Sequence, residues 1–197
     1  MWKENILFYS VLGFILLICL RVYYEYENYS LKCIISNVDG NTYCVRDRVL
    51  LKESVELLAK ATSNMNSLVA YMKEHHPKDP RVIRLVDGYN PSKISETLPT
   101  SELTAYSENK GEKLAFCLAK TKNGSTLIDI NTLTFVAIHE LSHIMTESIG
   151  HKQEFWLNFK YLLENAKKAK IYDPVDYKKD NQSYCGMTIT DNPYYDI

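Results

Sequence analysis

The stretch Thr134-Phe135-Val136-Ala137-Ile138-His139-Glu140-Leu141-Ser142-His143-Ile144-Met145 constrains this chain more than any other. Leu133, Phe135, Val136, Ile138, Leu141, Ile144 and Met145 lie on nearly every side of a helical wheel, which predicts a helix inside a core. On a helix, residues four apart share a face, so His139 and His143 can offer two imidazole nitrogens to one metal ion. Glu140 then stands beside that ion, placed to take a proton from water. A buried helix has little reason to carry two imidazoles and a carboxylate unless they have partners, which argues against satisfied core histidines.

A catalytic zinc normally takes three protein ligands and keeps one open position. Downstream, Gly150 suits the left-handed position that ends a helix and reverses the chain, and His151 follows it. That turn makes His151 the favoured third ligand. Glu164 is a rival, spaced where some zinc proteases place a glutamate ligand, and Glu147 is a weaker one on the helix itself. His75 and His76 sit where a long helix meets Pro77, a place where histidines are more often solvated or paired with the helix dipole.

At 197 residues the chain holds one ordinary domain and an N-terminal segment. The net charge of −1 gives no basic field for nucleic acid, and no nucleic-acid partner is expected. Ile6 to Leu20 carries no charge. Extended through Tyr24 with Arg21 snorkelling, it is about 19 residues and roughly 28 Å of helix, which predicts an uncleaved single-pass anchor over residues 1–24. Trp2, Tyr23 and Tyr24 are its expected interface anchors, and Arg21-Val22-Tyr23-Tyr24 is too bulky for a signal-peptidase site. Lys3 and the following charges lean toward a cytosolic N-terminus, and three N-x-S sequons, at Asn28, Asn123 and Asn181, would suit an exported body.

Residues 25–47 read as a juxtamembrane piece with a hairpin turning at Asp39-Gly40. In that register Cys33 faces Arg46, so a Cys33–Cys44 bridge requires a different one. Cys33, Cys44, Cys117 and Cys185 allow three disulfide connectivities, or stand as thiols if the body is cytosolic. No C-x-x-C pair exists, which argues against a zinc knuckle or a thiol–disulfide enzyme.

The body, residues 48–197, opens with a helix from Lys52 to His75, on the spacing of Val55, Leu58, Met65, Leu68, Val69 and Met72. Arg81 to Leu85 reads as a strand and Asp87 to Tyr106 as loop. Lys113 to Leu118 and Ser125 to Ile130 read as a hairpin around Lys122-Asn123-Gly124, with Asn131 or Thr132 capping the metal-ligand helix. A second helix, Lys152 to Lys170, turns Phe155, Phe159, Leu162, Leu163 and Ala166 inward, and the tyrosine-rich tail wraps irregularly.

His139-Glu140-Leu141-Ser142-His143 followed by Gly150-His151-Lys152-Gln153-Glu154-Phe155-Trp156 resembles the WLM/SprT-like zincin metalloproteases, whose pattern is H-E-L-x-H, a short spacer, then H-x-x-x-F. Tyr43-Cys44-Val45-Arg46, Ala105 to Lys113 and Tyr184-Cys185-Gly186-Met187 also look like membrane-anchored members encoded by large DNA viruses. The resemblance implies an α+β zincin-like fold: a small antiparallel or mixed sheet, an active-site helix and flanking helices, behind the transmembrane helix. It implies Zn2+ on His139, His143 and His151 with Glu140 as catalytic base. Cellular relatives cleave proteins crosslinked to DNA, but this chain lacks their basic extension, and that role is not carried over.

These readings converge on a membrane-anchored zinc endopeptidase acting on protein or peptide substrates at a virion or host membrane. A tyrosine is the usual second donor to the oxyanion; Tyr184 is the first candidate, with Tyr194 and Tyr106 behind it. Met187 is expected to be a core methionine, or less plainly a Met-turn beneath the metal. The rival reading is a catalytically silent zinc-binding structural or interaction protein.

Overall fold

A computed structural model describes residues 2–29 and 31–196. The fold is α+β. Helix α1 (Trp2–Tyr29) precedes a hairpin of β1 (Leu31–Ile35) and β2 (Thr42–Arg46). Helices α2 (Leu51–His75) and α3 (Pro80–Gly88) follow, then β3 (Ile94–Glu96), β4 (Ala105–Glu108) and β5 (Lys113–Phe116). Helices α4 (Ile130–Met145) and α5 (Gln153–Lys168) carry the motif region, and a small hairpin, β6 (Gln182–Tyr184) with β7 (Met187–Ile189), stands near the end.

Five strands form one mixed sheet in the order β1-β2-β3-β5-β4. The outer pairs β1/β2 and β4/β5 are antiparallel, and the inner pairs β2/β3 and β3/β5 are parallel. Helix α2 lays Val55, Leu58, Met65, Leu68 and Met72 into the core, all of them buried. Helix α4 packs against α2, α3, α5 and β4 at once. That placement explains why its apolar residues run all round: each face meets a different neighbour.

The expected transmembrane anchor is not supported. Among the described residues no helix is long and apolar enough to cross a membrane. The uncharged run Ile6 to Leu20 covers about 23 Å at 1.5 Å per residue, short of the roughly 30 Å hydrocarbon layer, and further length brings in Arg21 and Glu25. The single-pass topology and membrane location drawn from that anchor fall with it. The side chains of Trp2, Tyr24 and Asn28 lie outside the described residues.

Three local expectations are corrected. Residues 80–88 form a helix, because Asp79 accepts the backbone N–H of Arg81 as an N-cap and Pro80 supplies the first turn. The strand pair beside α4 is β4 with β5, turning through Asn109-Lys110-Gly111; the expected turn at Lys122-Asn123-Gly124 is present in shorter form, with Lys120 N donating to Thr126 O at 2.9 Å and Ile128 N to Leu118 O at 3.0 Å around an isolated bridge from Leu127 to Ala119. The β1–β2 register sets Cys33 opposite Cys44, and the two form a disulfide. The wider turn folds over α2, where Glu56 accepts from Asn37 N at 2.9 Å, Val38 N at 3.2 Å and Ser36 Oγ at 2.6 Å. A second disulfide joins Cys117 to Cys185 and ties the β6–β7 turn to the end of β5.

Candidate metal centre

The centre is built on α4. Its N-cap is Asp129, two or three residues earlier than expected: Oδ1 accepts from Thr132 N at 2.8 Å and Oδ2 from Thr132 Oγ1 at 2.6 Å. Inside the helix, Thr134 Oγ1 and Ser142 Oγ each donate to the carbonyl four residues back, at 2.7 Å, so these buried hydroxyls are satisfied locally. The polar groups left to face one another are His139 and His143.

Helix α4 ends at Met145 with Thr146 extended as its C-cap. The chain then crosses a short loop in which Gly150 adopts φ +79° and returns His151 just ahead of α5. The reversal expected from Gly150 is present, although it lies in the loop and not at the helix end. Nε2 of His151 lies 3.1 Å from Nε2 of His139 and 3.2 Å from Nε2 of His143. Ligands about 2.05 Å from a tetrahedral zinc sit about 3.3 Å apart, so these separations fit three corners of one tetrahedron. The three histidines can hold a metal ion, and among the described residues no other cluster of His, Cys, Asp or Glu has that geometry.

The other ligand candidates are placed elsewhere. Glu147 forms an ion pair with Arg84 of α3. Glu164, on α5, is not part of the cluster. His75 Nδ1 meets Tyr71 O at 2.9 Å, and His76 Nε2 meets Asn165 Oδ1 at 3.1 Å, the ordinary roles expected of them.

One phenyl ring underlies the whole site. The Phe155 centroid lies 4.8, 4.4 and 4.6 Å from the rings of His139, His143 and His151, and the residue is completely buried. Phe159 adds a second contact to His139 at 5.2 Å. Trp156 fixes the last ligand, donating from Nε1 to His151 O at 3.1 Å. This apolar floor sets the electrostatics. Burial, followed by the neighbouring His143 and His151, holds His139 down at about 3. Burial, followed by His151 and Lys110, holds His143 at about 4. Both rings are therefore neutral at physiological pH, with free lone pairs, as ligands must be. The same burial pushes the Glu140 carboxyl up to about 8, and the residue is only 4% exposed.

Tyr184 stands close enough to Glu140 that the carboxylate raises its pKa, after the larger effect of burial. Its hydroxyl is already engaged, donating to Thr104 O at 3.0 Å and accepting from Cys117 N at 3.2 Å. The one O–H proton of Tyr184 thus ties the tail hairpin to Thr104, just ahead of β4, and this arrangement does not present it to an oxyanion. Tyr194 lies beside Lys167 in the last turn of α5, at the opposite end of that helix from His151. Tyr106 sits on β4 and receives a hydrogen bond from Lys113 Nζ at 3.4 Å. Met187 is half exposed and accepts from Thr104 Oγ1 at 3.6 Å, so the expected core methionine is a surface one.

The chain is similar to proteins of large DNA viruses. It is 26% identical over 161 residues to "Uncharacterized protein R325" of Acanthamoeba polyphaga mimivirus, spanning 80% of this chain and 81% of that protein. It is 33% identical over 75 residues to "Uncharacterized protein 136R" of Invertebrate iridescent virus 6, covering 38% of this chain and 41% of that one. A third stretch, 83 residues at 32% identity, matches "Uncharacterized protein 042R" of Invertebrate iridescent virus 3, or half of that protein. No protein-family model matches, and no solved structure does.

Proposed function

We propose that this chain is a zinc-dependent peptidase, distantly related to the WLM/SprT-like zincins, with His139, His143 and His151 as ligands and Glu140 as general base. The observation that carries the reading is the convergence of His151 Nε2 to 3.1 and 3.2 Å from the Nε2 atoms of His139 and His143, on a helix that also holds a buried carboxyl one residue after the first ligand. His139, His143 and His151 would hold a zinc ion, which would supply Lewis-acid activation of water near neutral pH.

The protein's own groups do the rest. His139 and His143 stay neutral because burial disfavours their protonation. Burial raises the Glu140 carboxyl to about 8 in the metal-free protein, and a bound cation would draw it to the carboxylate, the form that takes a proton from the attacking water and returns it to the leaving amine. Phe155 closes the floor beneath the three rings against solvent. Strand β4 is a free edge of the sheet packed beside α4, suited to hold an extended peptide by strand addition.

The decisive test is Glu140→Gln. Cleavage of an unfolded protein such as reduced casein should fall by about 100-fold or more while zinc content stays near one per chain. Undiminished cleavage with zinc in place would sink the reading. One observation favours the alternative, a catalytically silent zinc-binding protein: the Tyr184 hydroxyl is committed to Thr104 and Cys117. Stoichiometric zinc with no cleavage by the wild type would select that alternative.

A further inference from the structure

The loop from α4 to α5 delivers the third imidazole, and side chains from three neighbouring elements hold it. Glu154 of α5 accepts from Glu147 N at 3.0 Å and Ser148 N at 3.1 Å. Arg84 of α3 donates to Met145 O at 2.6 Å. Asn158 donates to Thr146 Oγ1 at 2.9 Å. The most concentrated set belongs to Lys110, from the β4–β5 turn. Its ammonium donates to three carbonyls: His143 at 3.2 Å, Thr146 at 2.6 Å and Ser148 at 3.1 Å. An ammonium has three N–H donors, so all three are engaged. The last carbonyls of a helix lack intrahelical partners and favour a cation there. Here the cation bridges from one ligand residue, His143, to the segment that carries the next.

The turn is shaped for this delivery. Asn109, Lys110 and Gly111 have φ of 46°, 57° and 108°, a left-handed run that side chains rarely adopt. A Cβ on Gly111 would overlap Gly88 O and lie 2.8 Å from Ile144 Cδ1. A Cβ on Gly88 would lie 2.7 Å from Ile144 Cγ2 and 2.7 Å from Lys110 O. Two glycines thus let the β4–β5 turn seat against the end of α3 and against Ile144, the residue after His143.

We propose that Lys110 is a positioning residue for the metal centre: by tying His143 O to Thr146 O and Ser148 O, it fixes the loop that sets His151 against His139 and His143. The inference rests on the reading of those histidines as metal ligands, and it holds whether or not the centre is catalytic. It also makes β4, the free edge strand, continuous with the ligand loop through a single side chain.

The test uses the full chain, stripped with EDTA, as wild type, Lys110→Met and Lys110→Gln. Zinc affinity is measured against a chromophoric chelator at fixed pH, Co2+ is titrated for its visible absorption bands, and urea stability is measured without metal. Lys110→Met should weaken zinc binding by about 10- to 100-fold, the range seen when partners that orient ligands are lost, and should change the Co2+ band pattern. Lys110→Gln, which keeps two N–H donors, should fall between. Charge alone predicts the opposite sign, because removing a cation beside a divalent ion tightens its binding. Unchanged or tighter zinc affinity therefore overturns the proposal. So does a loss of urea stability with affinity and Co2+ spectrum intact, or a failure of both variants to fold, since each marks Lys110 as merely structural. If the wild type itself takes up neither zinc nor Co2+, the metal-centre reading fails first, and the affected sample tells the two failures apart.

Discussion

Glu140 should make the metal-free protein less stable as pH rises, and Glu140→Gln should remove that loss. The carboxyl is 4% exposed, and burial lifts its pKa from an ordinary 4.5 to about 8. An acid raised in this way gives stability that is complete below its unfolded pKa and is lost as pH climbs through the folded value. Each pH unit in that window costs about 1.36 kcal/mol per proton, so the loss is about 2 kcal/mol at pH 6, about 3 at pH 7 and about 4 at pH 8. Against a total of roughly 5–15 kcal/mol for a domain, that is a large fraction. His139 and His143 act in the opposite direction: their folded pKa values are depressed below 6.5, so the stability they give is present above pH 6.5 and lost as pH falls toward about 4 and 3. Their contribution is common to wild type and Glu140→Gln and cancels in the difference between them, which leaves Glu140 to be read alone.

The assay is urea unfolding in EDTA between pH 6 and pH 8.5, followed by tryptophan fluorescence, for wild type and Glu140→Gln. Glutamine keeps the shape and carries no charge. The variant should be the more stable protein, with the gap widening by about 2 kcal/mol from pH 6 to pH 8. With saturating zinc the gap should close, because the ion's charge then favours the carboxylate. A gap that stays constant across this range, or a variant less stable at every pH, would refute the claim that desolvation governs Glu140.

Two further outcomes follow from the geometry. His151→Ala should weaken zinc binding by more than about 100-fold in a chelator competition, while Glu164→Ala leaves it unchanged; because His151 is exposed, the variant's metal-free stability should shift by no more than about 0.5 kcal/mol. Reducing the disulfides should cost stability in order of loop length: about 4 kcal/mol for Cys117–Cys185, 68 residues apart, and about 3 kcal/mol for Cys33–Cys44, 11 apart, read from urea midpoints of the Cys→Ser pairs, with the reverse order counting against the loop-entropy account.

What the sequence made legible was local. Helices α2 and α5 follow from apolar residues recurring every three or four positions, α4 follows from apolar residues on nearly every side, and the three ligand candidates lie within 13 residues of one another, His139 to His151. Arg81-Val82-Ile83-Arg84-Leu85 is a short stretch with two adjacent β-branched residues and so resembles a strand, yet it forms helix α3: Val82 and Leu85, three apart, are its buried residues, and the Asp79-Pro80 start sets the helix. Strand β3 has three residues and exists by parallel pairing with β2 and β5, contacts that no local pattern encodes. The chain turns back at Lys122-Asn123-Gly124, but the pairing that extends the sheet is made across Asn109-Lys110-Gly111, where Gly88 and Ile144 provide the seat. Lys110 and Arg84 reach the ligand loop across 33 to 63 residues, and nothing in their own surroundings in the sequence marks them.

The same distinction separates the chain's two groups of histidines. Adjacent His75 and His76 end a helix and find a carbonyl and an amide as partners, which is enough for rings near the surface. His139 and His143 have Phe155 and Phe159 against them instead, so protonation is costly and their lone pairs are left facing His151. Neutral, converging imidazoles and a carboxyl forced toward its protonated form share one cause, the apolar shell that α4 acquires by packing on four neighbours. A divalent cation on these histidines would relieve both, because it would take the lone pairs and favour the Glu140 carboxylate. The H-E-x-x-H spacing aligns the groups, while the burial around it creates the demand for the ion. That is why the substitution most informative about metal is at Glu140, a residue that need not touch it.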